Sequence, residues 1–93
     1  MTETIYRVCV VCSGIPPAEG YEAARATTQE FAEYRPHHQN VVCVFRDDKL
    51  FLTAENDCDP DGTALMDEFS DTISAYVASH FDSEISLVSS DRI

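Results

Sequence analysis

Cations are what this chain most lacks: one lysine (Lys49) and five arginines stand against seventeen acids, for a formal net charge of -11. A surface so poor in Lys and Arg has little with which to neutralise phosphates, so direct nucleic-acid binding is disfavoured. Long apolar runs are missing as well. The run from Val8 to Cys12 is far too short for a membrane span or a signal core, and Met1-Thr2-Glu3-Thr4 holds no basic leader. A cytoplasmic protein without membrane contact is therefore expected. No phosphate-cradling glycine loop and no G-x-S-x-G elbow occurs, which leaves no assignable catalytic residue and an enzyme unsupported. Repeats, linkers and low-complexity stretches are also lacking, and 93 residues leave no room for a second core.

What is present suits a folded domain. Hydrophobic residues make up 44% and charged residues 25%, with five Phe and four Tyr, a balance that separates the chain from disordered sequences. One domain over residues 1-93 is expected, with a thin stability margin. The charge is unevenly divided. Residues 1-46 hold five acids and four arginines, a net of -1, whereas residues 47-93 hold twelve acids against Lys49 and Arg92, a net of -10.

Thr4 to Cys12 alternates between two faces and predicts a strand. Ser13-Gly14-Ile15-Pro16-Pro17 ends it, and Pro17 suits the first turn of a helix running to about Tyr34, with Glu19 and Glu22 favourable near its positive end. Tyr21, Ala24, Thr28 and Phe31 fall on one face of that helix. After the polar turn at residues 36-40, Val41 to Phe45 and Leu50 to Ala54 read as a hairpin around Arg46-Asp47-Asp48-Lys49. Leu65, Met66, Phe69, Ile73, Tyr76, Val77, His80 and Phe81 make an apolar stripe at helical spacing, and Ile85 to Val88 reads as a last strand before a polar tail. The order predicts an α+β protein, the ferredoxin-like β-α-β-β-α-β sandwich with two helices on one face of a four-stranded antiparallel sheet. Its second sheet face would carry Ile5, Cys9, Val11, Phe51 and Val88, apolar enough to predict a homodimer through that open face.

The most specific local pattern is Asp57-Cys58-Asp59-Pro60-Asp61-Gly62 with Glu68 at the twelfth place, which satisfies the calcium-loop template D-x-D-x-D-G-x5-E. Asp57, Asp59, Asp61 and Glu68 are thus candidate calcium ligands, and calcium the one candidate cofactor. Against this, a strand precedes the loop and the ninth position is Leu65. A helix starting near Thr63 would leave Pro60 in the first turn and Asp59 as an N-terminal cap.

Cys9 and Cys12 form a nominal C-x-x-C, but residues three apart on a strand point to opposite faces, so neither a disulfide nor a shared metal is expected. Cys43 and Cys58 stand apart, and all four thiols read as reduced. A small thiol enzyme can be drawn with Cys12, its pKa lowered by the nearby helix start, and His37 or His38 as its base. His80 reads as a partly buried imidazole on the helix edge.

What remains is the acidic segment. Glu55, Asp57, Asp59, Asp61, Asp67, Glu68 and Asp71 include no cation among them, and Asp67 and Asp71 repel one turn apart on a helix. The reading that follows is a non-catalytic module that offers these seven residues to a basic protein surface, for example by occupying the site of a nucleic-acid-binding protein. Small acidic anti-CRISPR and anti-restriction proteins of phages and plasmids follow that charge logic, an analogy of charge and size alone. The bland alternative is acidity for solubility, or for a host with high internal salt.

Overall fold

The computed structural model describes residues 4-77 and 83-93, so His80 and Phe81 of the predicted stripe lie outside the described residues. Six elements follow one another: β1 (Tyr6–Ser13), α1 (Pro17–Tyr34), β2 (Gln39–Arg46), β3 (Lys49–Asn56), α2 (Thr63–Tyr76) and β4 (Glu84–Arg92). The strands form one antiparallel sheet in the order β2-β3-β1-β4, the ferredoxin-like arrangement expected from the alternation of elements. No helix among the described residues is long and apolar enough to cross a membrane.

Local chemistry sets the element ends. Pro16 and Pro17 start α1, because a proline in the first turn gives up an N–H that has no helical partner there. The β2-β3 hairpin closes on Asp47 and Asp48, whose φ angles of 53° and 60° give the left-handed turn that matches strand twist. Asp tolerates this conformation better than most residues with a Cβ. β1 begins two residues later than expected. Ser89 to Arg92 are not a tail but strand, paired with Cys9 back to Tyr6; their polarity hides them from any reading based on hydrophobic alternation.

The core lies between the sheet and the helices. Val8, Val10 and Cys12 of β1, Leu50, Leu52 and Ala54 of β3 and Cys43 of β2 meet Ala23, Ala24 and Phe31 of α1 and Leu65, Phe69 and Ile73 of α2. The inward face of α1 is Gly20, Ala23, Ala24, Thr27 and Phe31, with Thr28 beside it accepting from the Cys43 N–H of β2; of the expected face only Tyr21 turns outward. Tyr21 is 73% exposed, with its ring edge-on to Phe45 at 5.1 Å. The cause is Phe45, which fills the space at Gly20 so fully that a Cβ there would come within 2.3 Å of its ring. Small residues thus let α1 approach the sheet, and the bulk of Tyr21 is turned outward.

One sheet face is left without helices. β1 contributes Arg7, Cys9, Val11 and Ser13 to it; by strand pairing Val42 and Val44 of β2 and Phe51 and Thr53 of β3 share it. Val42, Val44 and Val88 are 54%, 45% and 53% exposed. Of the residues expected on this face, Ile5 precedes the strand and Val88 stands at the β4 irregularity without a pairing partner; Cys9, Val11 and Phe51 are on it.

Candidate functional site

The acidic segment divides into acids with internal partners and acids without. Asp59 is buried, and its two carboxylate oxygens accept hydrogen bonds from the backbone N–H of Ala64 (3.1 Å) and Leu65 (2.9 Å). It caps α2 from three residues before the capping place, because Gly62, at φ 73°, occupies that place itself and has no side chain to offer. Glu55 accepts from Asn40 at 2.8 Å and from Arg7 at 3.0 Å, and these bonds, that from Asn40 foremost, hold its carboxyl below the usual carboxylate range. Glu68 turns toward the end of α1. Asp57, Asp61, Asp67 and Asp71 are exposed and, among the described residues, make no side-chain hydrogen bond or ion pair.

The four calcium-loop residues therefore do not converge. Both oxygens of Asp59 are committed to the helix start and those of Glu68 to histidines, which leaves Asp57 and Asp61 as carboxylates facing water. The spacing satisfies the template, but α2 already begins at Thr63, so Glu68 sits more than one turn into a regular helix instead of closing a loop.

The structure instead gathers a cluster that no local pattern joins. His37 Nε2 lies 3.0 Å from one oxygen of Glu68 and His38 Nε2 2.9 Å from the other, with Arg35 Nε 3.9 Å away. Among the described residues this is the one group of three His, Cys, Asp or Glu side chains whose ligand atoms lie within 4.8 Å of one another. His38 is 4% exposed, its ring tilted 47° against that of Phe31, and its Nδ1 meets Asn56 Nδ2 at 3.1 Å.

Asn56 decides what His38 can do. Its Oδ1 accepts from the backbone N–H of Cys58 (3.2 Å) and Asp59 (2.8 Å), which fixes the amide with its NH2 toward the imidazole. His38 Nδ1 must then accept, so the proton of the neutral ring sits on Nε2 and is donated to Glu68. A metal-bound imidazole needs the reverse, a free Nε2 lone pair with N–H donated from Nδ1. The arrangement suits a buried hydrogen-bonded chain, Asn56 to His38 to Glu68, more than a metal site. Burial keeps the His38 pKa below its ordinary value, against the pull of Glu68 and Asp59 and with some help from His37.

The drawn thiol couple fails on distance. His38 is bonded to Asn56, which stands opposite Tyr6 at one end of β1, whereas Cys12 stands opposite Leu50 at the other. Six residues of strand separate the two ends, about 20 Å. Burial also pushes the Cys12 thiol up, only partly offset by hydrogen bonds from Ser83 and the Glu84 backbone, so the expected lowering by the helix start is not found. Cys43 is pushed up to about 12 by burial. All four cysteines are free thiols.

Two shallow concavities flank these features. One, of about 200 Å³, lies beside the histidine cluster between Ile5, His37, Gln39, Glu55, Asn56 and Asp57. The other, of about 330 Å³, runs along the outer side of the helices, with Glu22, Glu30 and Glu33 beside the exposed rings of Tyr34 and Tyr76. Arg25 there is engaged by Glu22. No protein-family model, curated protein sequence or solved structure matches the chain.

Proposed function

We propose that the chain is a non-catalytic binding module that engages a basic protein surface through the acids of its loop and helix layer. The observation that carries this reading is the set of four exposed, partnerless carboxylates at Asp57, Asp61, Asp67 and Asp71. Their mutual repulsion opposes folding, and no ion pair or side-chain hydrogen bond among the described residues offsets it. Glu55, Asp59 and Glu68 belong to the same segment but act as its frame. Glu22, Glu30 and Glu33 of α1 extend the negative field, and Tyr34 and Tyr76 supply the rigid rings on which protein interfaces rely. A partner of this chemistry is a protein whose own ligand is a polyanion, such as a nucleic-acid-binding enzyme. Blocking such a site is the logic of anti-CRISPR and anti-restriction inhibitors, with which this chain shares charge and size.

Association of this kind is fast at low salt and weakens as salt rises. Affinity capture from a lysate of the native host, in low salt, is expected to retain a basic nucleic-acid-binding protein that high salt releases. The fourfold variant Asp57→Asn, Asp61→Asn, Asp67→Asn, Asp71→Asn is expected to retain none while keeping its circular dichroism. Equal capture by the variant, or no basic protein released by salt, would overturn the reading.

A further inference from the structure

We propose that the open sheet face binds a second copy of the chain, as a two-fold dimer whose axis runs along the strands. The charge is distributed for it. Strand pairing places Arg7, Arg46 and Lys49 on this face with Glu55, Glu84 and Asp91, three cations and three acids, so the face is neutral in a chain of net -11. Half of the chain's six cations stand here. The remaining surface carries the other fourteen acids against three cations, so contacts made through it are on balance repulsive. Face to face, the helix layers point outward with their axes about 30 Å apart, well beyond a Debye length of about 8 Å.

The pattern also selects the axis. Rotation about the strand direction lays β2 over the partner's β4 and β3 over its β1. Arg46 then stands over the second copy's Glu84 and Glu55 over its Arg7, each twice by symmetry. The intrachain pair of Arg7 and Glu55, at 3.0 Å, becomes half of a four-charge ring. Between these charged rows Phe51 lies over the second copy's Val11, and Val42 and Val44 over the edge that carries Val88. Phe51 and Val11 form the dry centre of the contact with the exposed valines beside them, and strands aligned at a modest crossing angle are the ordinary way two twisted sheets stack. The perpendicular axis is worse, since it sets Glu84 over the second copy's Asp91.

Sedimentation equilibrium of the intact chain at high micromolar concentration tests this. The expected mass is twice 10.4 kDa. Val44→Asp is expected to give a monomer with an unchanged circular dichroism spectrum. Arg46→Glu and Glu84→Arg, both at exposed positions, should each weaken association about fivefold, and the double variant Arg46→Glu, Glu84→Arg should regain most of it. A monomeric parent, a dimer indifferent to Val44→Asp, or a double variant no tighter than the singles would overturn the proposal. Should Val44→Asp unfold, the charge-swap set alone decides.

Discussion

The two ends of the sheet are built on opposite principles. At the end where β1 begins, Asn56, His38, Glu68 and Asp59 form a buried polar assembly in which nearly every donor has an acceptor. Where β1 finishes, Gly20, Phe45 and Ile15 close the core by fit, and the thiol of Cys12 is buried among apolar neighbours. A polar assembly fails when one member is removed, because the remaining groups stay buried without partners. A packed end fails when volume is added.

The largest expected effect breaks the polar end. Glu68→Ala leaves the Nε2 proton of His38 unaccepted in the interior and removes the carboxylate that pairs with Arg35 and His37, at a cost of about 2–3 kcal/mol. In a chain of this size that lowers Tm by about 10 °C or more. A melting temperature within a degree or two of the parent would show that the cluster contributes no stability. Gly20→Ala tests the packed end. The added methyl must displace the Phe45 ring, costing about 1–3 kcal/mol, while the gain in helix propensity returns up to about 1. A net loss of about 1 kcal/mol is expected, with partial recovery in Gly20→Ala, Phe45→Leu. A G20A protein as stable as the parent would mean that the ring moves aside freely.

The smallest effect separates the ends by pH. The folded pKa of His38 lies below its ordinary value near 6.5, so between the two values the unfolded chain binds a proton that the folded chain refuses. Stability from this group is complete above about 6.5 and is lost as pH falls through that value toward the folded pKa. Thermal melts from pH 7.5 down to 5.5 should show Tm falling, and less steeply in His38→Gln. The groups that face the ring (Glu68, His37, Asp59 and Asn56) all lie at this end. Equal slopes in parent and variant would place the proton uptake elsewhere.

How much of this was legible in the sequence follows from the range of each interaction. Pro16 with Pro17, the Asp47-Asp48 turn and the alternation of β1 and β3 are local signals, and the elements they mark stand where expected. The outward turn of Tyr21 has no local signal, because it depends on Phe45, 25 residues beyond Gly20 and visible only once the sheet is formed. Asp59 was legible as a helix cap, though it acts from farther back than a cap normally sits. His37 and His38 were visible as candidates, but their partner was not Cys12. Glu68 lies about 30 residues away and was absorbed by a calcium template that its helix does not permit. Asn56, which fixes the tautomer, carries no pattern of its own.

The central pair, β1 with β3, runs in unbroken register, whereas both outer pairs slip: β2 with β3 between Gln39 and Val42, and β4 with β1 between Cys9 and Val10. An irregular rim is a poor template for another strand, so the ladder is hard to extend sideways into an open-ended array. Polymerisation by edge addition has no stopping point, while a contact between faces under a two-fold closes after two copies. The slipped margins therefore limit how the sheet can grow, and leave its uncovered face as the route to a finite assembly.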